Sequence, residues 1–194
     1  MGQKVGVDRL AVIEAATVIA DRDGLDATTP SAVATELGIR TPSLYYHVQG
    51  ADGLRRALAL HAAAALTSAF QAVQDEPQGS NVDRLKLFAR AYRNFASEHP
   101  GLHAALLPAP HPGEDDELAE AMAAPVRIVA AELGGGQDLT EDSVHRIRML
   151  RALLYGFASL ESQRGFGLET DIDESFEYAV DLMASSIVRT PTQE

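Results

Sequence analysis

Apolar side chains recur every three or four positions along most of this chain, and that spacing predicts amphipathic helices. Alanine and leucine dominate, and no clean run of alternating polar and apolar residues appears, so we expect an all-α fold. Caps, prolines and glycines divide the chain into predicted helices at about residues 8–22, 30–38, 42–48, 52–73, 81–99, 102–107, 116–133, 140–165 and 173–190.

Local features refine several of these helices. Asp8 is placed to cap the first helix, and Asn81 to cap the fifth. Pro125 is expected to kink or interrupt the seventh helix, and the glycines at 134–136 form a predicted joint before the eighth. The apolar face of the first helix is expected at Leu10, Ile13, Thr17 and Ala20.

The strongest functional signal is a pair of short helices on either side of Gly38. Thr29-Pro30 and Thr41-Pro42 each open one helix, because the threonine hydroxyl can cap free amides and proline suits the first helical position. Gly38 can end the first helix with a positive φ. A helix, a tight turn and a second helix make the helix-turn-helix geometry.

The second of these helices has the character of a DNA-recognition helix. Three residues are spaced to anchor it inward, namely Leu44, Tyr45 and Val48. Three polar residues are free to point outward, namely Ser43, Tyr46 and His47. Such a short, polar face can reach phosphates and base edges in the major groove.

At these residues the chain resembles the tetracycline repressor (TetR) family of bacterial transcriptional regulators. The resemblance runs from Ala34 to Leu54 and extends upstream through Ile13-Glu14-Ala15-Ala16 and the stretch at 23–28. It implies a nine-helix TetR-type fold, with a DNA-binding domain at residues 1–52 and a ligand-binding and dimerisation domain at 53–194. The chain departs from many family members at Ser31 and Ala51, where a basic residue and a lysine are usual.

The DNA-contacting residues follow from the motif and from the polar or basic side chains around it. Arg40 can reach a guanine edge or a phosphate, and hydroxyl groups can bond phosphates. The predicted contacts are Lys4, Thr29, Arg40, Thr41, Pro42, Ser43, Tyr45, Tyr46 and His47.

The charge distribution qualifies this prediction. The formal net charge is −12, but residues 1–60 carry six lysines and arginines against seven acids, so most of the acidity lies in the remainder. This nearly neutral N-terminal region (the head, residues 1–60) predicts a modest non-specific affinity for DNA. The reason is that counterion release scales with the number of phosphates neutralised. The alternative is a helical scaffold or partner-binding protein whose head no longer grips DNA.

Apolar residues in the last two helices predict a homodimer. They provide more apolar surface than one core is expected to need, and a two-fold bundle of four helices would bury it. The predicted interface residues are Leu150, Leu154, Phe157, Phe176, Val180, Met183 and Ile187.

The predicted ligand-binding and dimerisation domain at 53–194 also carries a mixture of aromatic, flexible and polar side chains that is typical of a small-molecule site. It resembles one class of TetR-type ligand domains, with Arg151 where that class often has tryptophan. Each residue alone is more often core than ligand contact. The predicted ligand-binding residues are Tyr92, Phe95, His99, His103, Met122, His145, Met149, Tyr155 and Phe166.

We therefore expect a repressor that binds a double-stranded DNA operator and is released by a small hydrophobic or aromatic effector. Catalytic residues and cofactors are not expected, since the chain has no cysteine, no Gly-x-Ser-x-Gly and no phosphate-binding glycine loop. His99 and His103 have a metal-like spacing, but Pro100-Gly101 lies between them, so no metal is expected. Without a signal peptide or a long apolar run, we expect a cytoplasmic protein with no membrane partner.

Overall fold

Good helix formers, separated by caps and breakers, build every regular element of this protein that the computed structural model describes. The described residues are 7–76, 79–108, 110–111, 113–132 and 140–188, and within them lie nine α-helices, a short 3-10 helix at Leu25–Ala27 and no strand. The all-α prediction is confirmed. The helices are α1 (Arg9–Asp23), α2 (Pro30–Glu36), α3 (Thr41–Leu44), α4 (Gly50–Gln74), α5 (Asn81–Glu98), α6 (Pro100–Ala105), α7 (Asp116–Glu132), α8 (Glu141–Ser162) and α9 (Ile172–Val188).

Side-chain caps fix most of the helix starts. Asp8 caps α1 as predicted, accepting a hydrogen bond from the Ala11 amide at 2.8 Å. The prediction for α5 is wrong, because Asn81 is already helical. Ser80 accepts from the Asp83 amide at 3.2 Å, and its own amide donates to the Asp83 carboxylate at 3.3 Å. This reciprocal pair is a capping box.

The buried face of α1 is rotated from the predicted one. Val12, Ala16 and Ile19 are buried, whereas Leu10 is exposed and only Ala20 of the predicted face is buried. The reason is the alanine content of the buried side, which lets another helix approach closely. A Cβ added to Gly101 of α6 would lie 2.2 Å from the Ala20 carbonyl carbon.

Helix α7 continues through Pro125 instead of being interrupted there. The proline ring is buried, so packing offsets part of the cost of the backbone hydrogen bond that proline cannot make. The predicted glycine joint at 134–136 lies outside the described residues.

The helices form two compact units. The first unit is Met1–Ala65 with His99–Met122. In it Asp21 of α1 caps α6, because its Oδ1 accepts from the amides of Gly101 at 2.8 Å and Leu102 at 3.3 Å. The largest fully buried apolar side chains of this unit are Val12, Val33, Leu44, Leu54, Leu58 and Leu102.

The second unit is Leu66–Glu98 with Ala123–Glu194. Its central helix is α5, which packs against α8 and α9. The predicted apolar stripe of α5 is buried here, including Leu85, Phe88 and Phe95. The functional division at residue 52 stays a prediction.

Candidate nucleic-acid interface

The first helix of the helix-turn-helix starts and ends by local rules. Thr29 caps α2, since its hydroxyl oxygen accepts from the Ala32 amide at 3.2 Å. Gly38 follows α2 with φ +64°, and its amide donates to the Thr35 carbonyl at 3.0 Å. That left-handed conformation suits glycine, so the chain turns sharply after α2.

The second helix is shorter than predicted. It ends at Leu44, and residues 45–48 continue as turns in which the amides of His47 and Val48 both donate to the Leu44 carbonyl, at 2.9 and 3.1 Å. Thr41 does not cap it, because Thr41 is itself helical and Arg40 occupies the cap position without a side-chain bond.

Two apolar residues hold this segment in place and leave its other side free. Leu44 is fully buried and Val48 nearly so. Tyr45 is 53% exposed, so the prediction that it anchors the segment inward is wrong. The neighbouring Tyr46 is 88% exposed. One helical turn between Leu44 and Val48 is enough to anchor the segment, and both tyrosines lie on the outer side.

The polar and basic side chains around the segment are available to a partner. Ser43, Pro42, Thr29 and Arg40 are exposed, and Thr41 and His47 are half-buried. The Arg40 side chain has no ion-pair partner among the described residues. Lys4 lies outside the described residues.

The predicted ligand-binding residues fall in both units. His99, His103 and Met122 belong to the first unit, where His99 Nδ1 lies 3.2 Å from Asp21 Oδ2 and His103 is buried. Burial lowers the pKa of His103. His99 therefore has a structural contact at the start of α6.

The remaining members of the predicted set belong to the second unit. Tyr92 and Phe95 of α5 are buried, and Tyr155 and Phe166 are half-buried. His145 and Met149 lie exposed on α8, and their role in ligand binding stays a prediction.

Tyr92 lies in the most perturbed environment of these residues. Burial raises the pKa of its hydroxyl, the positive charge of Arg151 opposes that shift, and Tyr155 adds to it. Two phenols and a guanidinium thus act on one another electrostatically beside the apolar stripe of α5.

The role of the predicted dimer residues stays a prediction, although most of them lie inside the second unit. Six of them are buried within a single chain, and Met183 is half-buried. Phe157, for example, lies 5.1 Å from Phe176 between ring centroids. The six buried residues are Leu150, Leu154, Phe157, Phe176, Val180 and Ile187.

A different apolar stripe of α8 and α9 is exposed. On α9 Tyr178 is 74% and Leu182 64% exposed, one turn apart. On α8 Met149 and Leu160 are exposed, and Gly156 between them has no other atom within 4 Å of the place of a Cβ. Sequence periodicity contained this signal, since these residues also recur at helical spacing.

Two further properties concern only the described part of the chain. No group of three or more His, Asp or Glu side chains there is arranged to hold a metal ion. No helix within those residues is long and apolar enough to cross a membrane.

Comparison with known proteins identifies a matching family and relatives of this chain. The family described as "Tetracyclin repressor-like, C-terminal domain" matches residues 85–183. YobS of Bacillus subtilis, named as an uncharacterized HTH-type transcriptional regulator, is 30% identical over 97% of this chain and 96% of its own length. An uncharacterized HTH-type regulator of Mycobacterium tuberculosis is 31% identical over 96% of this chain and 84% of its own.

Solved structures share the fold. A protein of unknown function from Rhodococcus sp. RHA1 has a TM-score of 0.76, with 24% identity over 97% of this chain and 100% of its own. TetR from Acinetobacter baumannii AYE, crystallised in complex with minocycline, has a TM-score of 0.71, with 22% identity over 97% of this chain and 100% of its own. From its helix-turn-helix, its matched C-terminal domain and its relatives, this chain belongs to the tetracycline repressor (TetR) family of helix-turn-helix transcriptional regulators.

Proposed function

We propose that this regulator is a repressor that binds an inverted-repeat operator as a homodimer and is released by a small hydrophobic or aromatic effector. The observation that carries the proposal is the segment at 41–46. Leu44 is fully buried beneath it, while Tyr45 and Tyr46 are exposed on its outer side. A rigid base under free polar side chains is what a recognition element needs.

Specific and non-specific contacts divide between different residues in this proposal. Arg40 reads a guanine edge or clamps a phosphate, because a guanidinium matches either geometry. Tyr46, Ser43 and Thr29 donate hydroxyl hydrogen bonds to phosphates, which set the register of the head on the duplex. The nearly neutral first 60 residues keep non-specific binding weak.

The dimer forms through the exposed stripe of α8 and α9. Met149, Leu160, Tyr178 and Leu182 supply the apolar surface, and Gly156 lets two backbones approach closely. In a two-fold dimer the same stripe meets itself, and the two heads then read half-sites of opposite orientation.

The effector site lies in the second unit, beside α5. Tyr92 and Phe95 provide a buried aromatic wall, and Tyr155 with Arg151 provides polar groups next to it. A mainly apolar molecule with one polar group suits that mixture. The effector releases DNA only as far as it binds the non-operator conformer more tightly.

The DNA proposal is tested by fluorescence anisotropy with DNA from the promoter of its own or the neighbouring gene. Arg40→Ala should weaken binding by about tenfold or more and reduce the salt slope by about one. Arg40→Lys, which keeps the charge but loses the planar fork, should retain the salt slope and lose sequence preference.

Tyr46→Ala should also weaken binding, and Tyr46→Phe separates the hydroxyl from the ring. If neither Arg40→Ala nor Tyr46→Ala changes the affinity, the segment at 41–46 does not read DNA. If the parent protein binds none of these DNAs, the scaffold alternative replaces the repressor.

Sedimentation velocity tests the dimer. Leu182→Glu should produce a folded monomer, since it puts a charge into the proposed apolar interface. Leu168→Glu is the matched control, because Leu168 is exposed in the second unit but lies outside α8 and α9. A parent protein that sediments as a monomer at micromolar concentration contradicts the proposal.

The effector site is tested by screening aromatic compounds with a single polar group for release of operator DNA. Tyr155→Ala should weaken the release by an active compound, whereas Leu168→Ala, at an exposed position outside α8 and α9, should leave it unchanged. An active compound that is insensitive to Tyr155→Ala binds elsewhere.

A further inference from the structure

A cavity of about 620 Å³ lies entirely within the first unit, away from the residues assigned to the effector. Its size falls in the range of small-molecule sites, roughly 300–1,000 Å³. Part of its lining comes from residues 25–59, namely Leu25, Gln49, Asp52, Gly53, Arg55, Arg56 and Ala59. The rest comes from residues 105–118, namely Ala105, Pro108, Pro110, Glu114, Asp115 and Leu118.

Along the chain, part of the cavity lining directly follows the recognition segment (residues 41–48). Gln49 directly follows Val48, the second buried anchor of that segment, and Gly53 lies in the first turn of α4. A ligand that fills the cavity therefore lies against Gln49 and Gly53, which follow the recognition segment. A shift there is passed to the segment through Val48, because packed side chains transmit displacement.

The charged groups around the cavity are unequally satisfied. Arg56 is paired with two acids, since its Nη2 donates to Asp115 at 2.8 Å and to Glu117 at 2.6 Å. Hydrogen bonds from Arg56 and from the Leu118 amide lower the pKa of Asp115 to about 2, so this carboxylate stays charged and paired. Arg55 lies 3.8 Å from Asp26.

Two carboxylates of the cavity lining therefore remain available to a ligand. The Asp52 carboxylate has no hydrogen-bond or ion-pair partner in the described part of the chain. Glu114 accepts only a backbone amide, that of His111, at 3.1 Å. With the Arg56–Asp115 pair neutral, the lining carries two acids against the single cation Arg55, beside leucine, alanine and proline surface.

We propose that this cavity is a second small-molecule site, which binds a mainly apolar organic cation and thereby changes the affinity of the head for operator DNA. The apolar lining contacts the body of the ligand, and Asp52 and Glu114 attract its charge. The effect on DNA rests on the proposed function, whereas the binding itself does not.

Binding is tested on the full chain without DNA, by isothermal titration calorimetry with tetraphenylphosphonium as the probe. Tetraphenylborate is the matched control, because it has nearly the same shape and the opposite charge. We expect saturable binding of the cation, at least about tenfold tighter than the anion. Equal binding of the two ions overturns the proposal.

Variants locate the site. The double variant Asp52→Asn with Glu114→Gln should weaken cation binding by about tenfold, and Glu14→Gln, an exposed acid of α1 outside the cavity, should not. Hydrogen exchange should show protection at residues 49–59, 105–107 and 113–118. Protection confined to the second unit, or unchanged binding by the double variant, overturns the proposal.

The regulatory part has its own readout. Tetraphenylphosphonium should change the operator affinity of the parent at least about threefold and leave that of the double variant unchanged. Cation binding that leaves operator affinity unaltered overturns the regulatory role. Failure of the parent to bind any operator is a failure of the proposed function, and the calorimetric result stands apart from it.

Discussion

The two units of this protein differ in the packing that stabilises each of them internally. In the first unit α1 and α6 meet through small residues, and Gly101 approaches Ala20 too closely for any side chain. In the second unit aromatic rings fill the core, as Phe157 and Phe176 do. The first unit should therefore be sensitive to added volume, and the second to lost volume.

Ion pairs strengthen the contrast. The cations of α5 reach three other helices of the second unit: Arg84 pairs with Glu132 of α7, Arg93 with Glu161 of α8 and Arg90 with Glu177 of α9. Arg93 also lies over the Phe176 ring, 4.7 Å from its centroid. In this unit the packing of α5 is thus fixed by charge as well as by apolar contact.

The largest effect is expected from Phe176→Ala. Phe176 is fully buried, so removing its ring should cost about 3–5 kcal/mol of unfolding free energy. Hydrogen exchange measured on peptides of each unit should show loss of protection mainly in the second unit. Leu168→Ala, at an exposed position, is the control and should cost less than about 0.5 kcal/mol. Equal loss in both units would remove the distinction between them.

Gly101→Ala should destabilise the first unit by about 3 kcal/mol, at the upper end of overpacking costs. The added Cβ meets Ala20 backbone atoms at 2.2 and 2.4 Å, so α1 and α6 must separate. Gly156→Ala is the matched change in a helix with open space, and in the monomeric Leu182→Glu background it should stabilise the chain by up to about 1 kcal/mol. Chemical denaturation measures both. A tolerated Gly101→Ala would show that α1 and α6 are not in close contact.

Thr29→Ala should cost about 1 kcal/mol through loss of the α2 cap. Its effect should be local, raising hydrogen exchange at residues 30–39. Thr35→Ala is the control, because the Thr35 hydroxyl donates to the Ser31 carbonyl within α2 and caps nothing. If both variants behave alike, the Thr29 cap contributes nothing.

Asp115→Asn should give the smallest effect, and one that depends on pH. The pKa of Asp115 is lowered from 3.8 to about 2, so the folded state favours the carboxylate. Its stabilisation is present above pH 3.8 and is lost as the pH falls towards 2. Acid titration followed by circular dichroism should show the parent losing its advantage over Asp115→Asn across that range. An advantage unchanged by pH would contradict the pair with Arg56.

Local chemistry explains which parts of this molecule could be predicted from sequence. Thr29 and Gly38 were assigned correctly, because a cap and a left-handed turn depend on a few adjacent residues. Helix α5 was also predicted well, since Leu85, Phe88 and Phe95 share one stripe. Each of these patterns involves residues close together in the sequence and predicts a single local structure.

Orientation in the folded chain could not be predicted in the same way. Helix α8 has two apolar stripes, one with Leu150 and Leu154 and another with Met149 and Leu160, and periodicity does not say which one faces the core. The cavity of the first unit joins Asp52 to Glu114 across a distance in sequence that no motif spans. Tyr45 was misplaced because α3 ends earlier than its pattern indicates.

The arrangement at 41–48 has a consequence for the history of such regulators. Leu44 and Val48 maintain the fold, while Ser43, Tyr45 and Tyr46 contribute little buried surface. Under the proposed function, selection for folding and selection for a new operator therefore act on separate positions. After gene duplication, one copy can acquire a different target sequence through successive single substitutions. Each intermediate protein along that route remains folded.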